Sequence, residues 1–294
     1  MSDLSSSLRS GFRVSDAVQR LLIINIVVFV IVRVLGGISA LFMSTSINFP
    51  VISYWLAVPA NLSSLLVRPW TIISYMFYHW EFFHLFFNLL LLYWMGKIFQ
   101  AYLGEKKLIS TYIIGGICGA VFYIVAYNIF PLFSNSMQVS FALGASASVL
   151  AITIAAATLL PDFPVRLLLI GEVKLKWLAL VIVISDLISI SGTNAGGHLA
   201  HLGGAFYGFI YIRQLRSGND LAAWFDRLIG YFSREKKTRM KVEYRKSSSD
   251  ADYNYTKHSR QERLDIILDK ISKSGYGSLS QEEKDELFKA SKDN

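Results

Sequence analysis

Apolar residues in this chain come as six long runs rather than as amphipathic stripes, and that pattern restricts the fold more than any motif does. The runs cover about residues 20–43, 81–98, 108–129, 140–160, 177–190 and 197–212. Hydrocarbon needs about 20 apolar residues per helical span, and only helices or closed barrels satisfy their backbone there. The expected fold is all-α: a polytopic membrane protein of six transmembrane helices followed by a helical tail. Hydrophobic residues make up 53% of the chain and charged ones 17%, less charge than a soluble domain of this length carries. Several runs are short for a full crossing, as expected where the bilayer thins or protein shields the helix ends.

Charge gives the orientation. The net charge of +8 is not spread as a nucleic-acid surface would be. Basic residues instead fall in alternate segments: Arg9, Arg13 and Arg20; Lys97, Lys106 and Lys107; Arg166, Lys174 and Lys176; Arg213 and Arg216. Apart from Arg68, the intervening loops (44–78, 130–139, 191–196) lack Lys and Arg, so both termini are expected on the cytoplasmic side. The run from Leu21 to Val32 and the small residues from Gly36 to Ala40 have elements of a cleaved signal. Apolar character resumes past Arg33 and no clear A-x-A site follows, so the segment is read as a first span. The single cysteine, Cys118, excludes an intramolecular disulfide and a Cys-rich metal site.

Four segments follow: residues 1–19 as a cytoplasmic N-terminal segment, 20–215 as the six-helix domain, 216–260 as an amphipathic stretch and charged linker, and 261–294 as a short helical module. Pro50, Pro59 and Pro69 break the long 44–78 connection, which is expected to lie as an ordered loop at the interface with Trp55 and Trp70 at headgroup level. Leu221, Trp224, Phe225, Leu228 and Phe232 share one helical face suited to a membrane surface. Residues 233–260 read as a flexible linker. Helices are expected over 262–272 and 281–290, the second opened by a Ser280/Glu283 capping box.

A few polar residues interrupt the grease: His79, His84, Asn88, Ser146 and His201. Such groups are expensive at membrane depth and are usually functional. Ser146 is placed about six residues into the fourth run, His201 about four into the sixth and His84 about three into the second, all from the side opposite the basic loops. A shared depth suits chemistry: a serine needs a neighbouring base, and His201 is suitable. His84 and Asn88, four residues apart on one helical face, can donate to an oxyanion, as can the Ser146 amide. Gly204 and Gly208 form a GxxxG pair that lets helices approach closely, with Ala145, Ala147 and Ala151 as a matching thin surface. A lone transmembrane serine more often bonds its own backbone, and Ser148 is left in that role. His198 is expected to face the loop or a cavity. No HExxH motif is present and no acid shares the histidines' depth, so no metal is expected; Asp186, the only acid inside a predicted crossing, lies too deep for an obvious triad.

At HWEFFHLFFN (79–88), GASA (144–147) and AHLGGAFYG (200–208), the chain resembles a rhomboid intramembrane serine protease over about residues 70–208. The resemblance implies a six-helix rhomboid bundle with a water-filled cavity opening away from the cytoplasm. It implies a Ser146–His201 dyad without an acid, His84 and Asn88 as oxyanion donors, and His79, Gly144, Gly204 and Gly208 in support. The fifth helix and the loop above the site would gate substrate. It implies transmembrane proteins as substrates, no cofactor, the bilayer as partner, and, for bacterial members, residence in the inner membrane. Three positions depart from the family pattern: Thr71 follows Trp70 where arginine is common, Gln100 replaces a glutamate, and Leu150 replaces an aromatic that stacks on the histidine. The tail (265–287) resembles a short module carried by some bacterial rhomboids, with no partner implied. The alternative is a rhomboid-like protein that binds transmembrane helices without cleaving them, which would usually lack these residues; a transporter would need internal repeats that are not evident.

Overall fold

The computed structural model describes residues 16–42, 49–167, 171–192, 194–232 and 250–292. Arg9, Arg13 and most of the expected linker lie outside them. The chain divides into two compact units, residues 1–234 and 235–294.

In the first unit, α1 (Ala17–Phe42) is followed by the connection α2 (Phe49–Leu56), β1 (Val58–Pro59), α3 (Leu62–Val67) and α4 (Thr71–Ser74). Then come the long α5 (Phe82–Ile129), β2 (Phe141–Ala142), α6 (Ser146–Leu159), the hairpin β3 (Pro164–Leu167) and β4 (Gly171–Lys174), α7 (Leu175–Ile188), α8 (Ala195–Arg216) and α9 (Ala223–Phe232). Among the described residues, α1 and α5 are long and apolar enough to cross a membrane, and α6 is apolar but shorter. Ile23, Val27, Ile31, Val34 and Leu35 of α1 are all exposed. A helix that is apolar on its outer side is suited to lipid there.

A straight α5 of 48 residues would run about 72 Å, more than twice a hydrocarbon core. Gly104 (φ 82°, ψ 171°) breaks it into residues 82–103 and 105–129. That backbone belongs to glycine, so one residue does the work that the sequence spread over a nine-residue connection. Ion pairs gather at this end: Arg20 with Glu105, Lys97 with Asp16, and Lys107 with both Asp220 and Asp226. Gln100 accepts the Val18 N–H at 3.2 Å.

Helix α6 is the centre of the bundle, buried from Ala147 to Ala157. Small residues permit this. A side chain at Gly115 or Gly119 of α5 would strike Ala151 or Ala147, and one at Gly116 would strike Ser148 and Met76. From α8, Gly204 and Gly208 lie directly against the backbone carbonyls of Ala147 and Ala151. Lipid offers no hydrophobic drive between helices, so this close packing is what draws α5, α6 and α8 together.

The connection after α1 is ordered between residues 49 and 78, and β1 pairs antiparallel with β2, Val58 opposite Ala142. Arg68 is buried, bonds the Tyr54 carbonyl and lies 3.5 Å from the centre of the Tyr54 ring. Trp55 and Trp70 stack with centroids 6.2 Å apart, both exposed as headgroup-level tryptophans are.

The second unit contains α10 (Asp250–Ser274) and α11 (Gln281–Lys292). Residues 250–260, read from sequence as linker, are helical: they continue α10 toward the N-terminus. Gly275 (φ 76°) ends α10. Lys270 bridges to Glu283 at 2.8 Å, and the capping box forms, with Ser280 N–H to Glu283 at 2.7 Å and Glu283 N–H to Ser280 Oγ at 3.3 Å.

Candidate active site

Ser146 does not lie six residues into a helix that begins at residue 140, as the sequence suggested; it is the first residue of α6. The run from residue 140 fails to be helical because β2 pairs with β1 and Gly144 then takes φ 110°. This start leaves the N–H groups of Ser146, Ala147 and Ser148 without carbonyls one turn back in the helix. The residue before it is Ala145, whose side chain cannot cap them. A helix start without a cap has donors to offer a negatively charged oxygen.

The loop entering α6 is held from two sides. Gly144 N–H donates to the Tyr75 carbonyl at 2.9 Å, and Ala145 N–H donates to His79 Nε2 at 3.1 Å. His79 is fully buried, and its bond to the Ala145 N–H holds this loop. Its ring meets that of His84 edge to face, centroids 5.2 Å apart. The His84 ring in turn lies over Gly144, where a Cβ would sit 2.6 Å from its Cε1. Gly144 is thus required twice, by its φ and by the imidazole above it.

His84 and Asn88 sit one turn apart at the start of α5, and His201 lies in the second turn of α8. All three, with Ser146 and Leu150, line one cavity of about 710 Å3, open to the outside and otherwise walled by residues such as Trp80, Phe87 and Phe141. That volume suits a ligand of several residues or a side chain with water. Among the described residues no hydrogen bond joins Ser146 to His201, and the Asn88 amide bonds its own helix at the His84 carbonyl, 2.8 Å. Catalytic contacts in an empty site are often long and close only around substrate.

One arrangement contradicts the sequence reading. Asp186 of α7 is not out of reach: its Oδ1 lies 2.9 Å from His201 Nδ1 and 2.7 Å from His198 Nδ1. Asp186 lies near the end of α7, two residues before its last residue Ile188, and so stands level with the first two turns of α8, where His198 and His201 lie. His198 accordingly turns to the acid. The ligating atoms of the three residues lie within 4.8 Å of one another, as a metal site would require. Their separations are those of N–H···O bonds, whereas two ligands at about 2.0–2.1 Å from a tetrahedral zinc stand about 3.3 Å apart.

The Rhomboid domain family matches residues 67–217, just over half of the chain. The chain belongs to the rhomboid family. Membership makes this rhomboid an integral membrane protein of a family whose members are generally intramembrane serine proteases. A family of unknown function (DUF6576) matches residues 247–293, most of the second unit. No curated protein matches the chain. The three departures from the rhomboid pattern can be followed in the structure: Arg68 anchors the connection from two residues before Trp70, Gln100 ties α1 to α5, and Leu150 lines the cavity with His201, whose ring meets that of His198 edge to face at 5.8 Å. Asp186, His198 and the glycines 115, 116 and 119 are the site and packing residues that the sequence reading passed over. The signal for Asp186 was present, since it was the one acid away from the ends of a predicted crossing.

Proposed function

We propose that this rhomboid is an intramembrane serine endopeptidase that cleaves peptide bonds in or near the transmembrane segments of other membrane proteins. The observation that carries the reading is one open cavity lined by Ser146, at an uncapped helix start, together with His201, His84 and Asn88. In this reading Ser146 Oγ attacks the scissile carbonyl carbon while His201 Nε2 takes its proton, and the carbonyl oxygen becomes an oxyanion. His84, Asn88 and the amides at the start of α6 donate to it. Collapse of the tetrahedral intermediate expels the amine, which takes the proton back from His201. Water, activated by the same histidine, then hydrolyses the acyl-enzyme. His79, Gly144, Gly204 and Gly208 hold the loop and the helices in place.

In this reading the chain crosses the membrane six times, by α1, the two halves of α5, α6, α7 and α8. Both termini then face the cytoplasm of a bacterial inner membrane, since the basic residues fall on that side. The test is cleavage of a single-span reporter by the full chain in proteoliposomes. Ser146→Ala and His201→Ala are each expected to abolish cleavage while the protein remains folded. Reporter binding without cleavage by the wild type would instead identify a helix-binding protein.

A further inference from the structure

Helix α7 presents a wide apolar face outward. Leu180, Val181, Ile184, Leu187 and Ile188 are exposed on it, and Leu175, Ala179 and Asp186 are its buried residues. A carboxylate in such a helix is costly unless it is paired and used. Asp186 is 5% exposed, and its Oδ1 lies at hydrogen-bond distance from Nδ1 of both His198 and His201. The imidazole of His201 is thereby gripped at Nδ1, which leaves Nε2 for the cavity that holds Ser146. The family resemblance implies a dyad with no acid, so the carboxylate goes beyond it.

We propose that Asp186 is a positioning residue that fixes the tautomer and orientation of His201, converting the Ser146–His201 pair into an acid-supported triad. The inference rests on the reading of those two residues as nucleophile and base. With Nδ1–H donated to Asp186, Nε2 carries the lone pair that accepts the Ser146 proton. The imidazolium formed lies beside the fixed carboxylate, which lowers the energy of the charged state and keeps its own proton count unchanged. When the proton passes to the leaving amine, the original tautomer returns. His198 donates to the same oxygen, which lessens the penalty of burying the charge.

Because Asp186 joins two helices, it also ties α7 to α8, and the test must separate the two roles. A small fluorophosphonate reacts with an activated serine without needing a transmembrane helix to enter past α7. In the full-length Asp186→Asn protein, kcat on the reporter and the rate of fluorophosphonate labelling are both expected to fall by about 10²-fold, with KM held within about threefold. Labelling at the wild-type rate, with only KM or thermal stability altered, would make Asp186 a mere tie between helices and overturn the proposal. Should that variant not fold, the wild type decides: with histidines labelled by 15N and the His201 signal assigned from His201→Asn, the neutral ring is expected to carry its proton on Nδ1. A proton on Nε2 would overturn it. A wild type that neither labels nor cleaves would refute the protease reading, and the tautomer would still decide whether Asp186 sets the His201 proton.

Discussion

Replacing Gly144 by alanine puts the least mass where the site has the least room. A Cβ there would lie 2.6 Å from His84 Cε1 and 2.8 Å from its Nε2, against 3.4–4 Å for ordinary contact. Either the imidazole or the loop must give by about 1 Å, a displacement that alone can cost about 10²-fold in rate. The backbone at φ 110° adds about 1–3 kcal/mol for any residue with a Cβ. If His84 is an oxyanion donor, its loss is worth about 10²–10³ in kcat. Gly144→Ala is therefore expected to reduce kcat by about 10²-fold with KM little changed. The assay is steady-state cleavage of a reporter by Gly144→Ala, His84→Ala and the double variant. If the glycine acts through the imidazole, the double variant will be no slower than His84→Ala alone. Full activity in Gly144→Ala, or losses that multiply, would refute the reasoning.

Other expected outcomes follow from packing and charge. Gly208→Val would force α8 away from the Ala151 carbonyl, and overpacking of that kind costs about 1–3 kcal/mol, read as a lower unfolding temperature in detergent together with lost cleavage. Arg68→Ala removes the bond to the Tyr54 carbonyl and the cation over the Tyr54 ring, so limited proteolysis between residues 49 and 78 is expected to quicken. In the second unit, the hydrogen bond from Lys270, aided by the Ser280 N–H, holds the Glu283 carboxyl below its ordinary value of 4.5. A depressed carboxylate stabilises the fold above the unfolded value, and the contribution disappears as the pH falls through the folded one. Amide exchange in residues 276–290, corrected for intrinsic rates, should therefore speed up below about pH 4.5, and Glu283→Gln should remove that dependence.

The fold was legible where chemistry is repetitive. Long apolar runs marked α1, the two halves of α5 and the body of α8, and GxxxG marked the surface of α8 that meets α6. What was not legible depended on single backbone choices. Gly104 alone separates the halves of α5, and the β1–β2 pairing together with Gly144 starts α6 at Ser146 rather than at residue 140. Hydropathy does not register a two-residue strand. In the candidate site, the residues grouped by supposed depth, His84, Ser146 and His201, do line one cavity together with Asn88. Asp186 was within reach of the same reasoning: it stands four residues from the outer end of the run 177–190, as His201 stands four from the start of 197–212. The tail was read one helix segment at a time, so the extension of α10 back to Asp250 through charged and polar residues went unseen.

The most direct measurement is covalent labelling of the purified full chain with a fluorophosphonate, followed by peptide mapping of the adduct. The account expects one adduct, on Ser146 Oγ, formed at a rate that collapses in His201→Ala. Modification of some other serine, or labelling of Ser146 that is indifferent to His201, would contradict it.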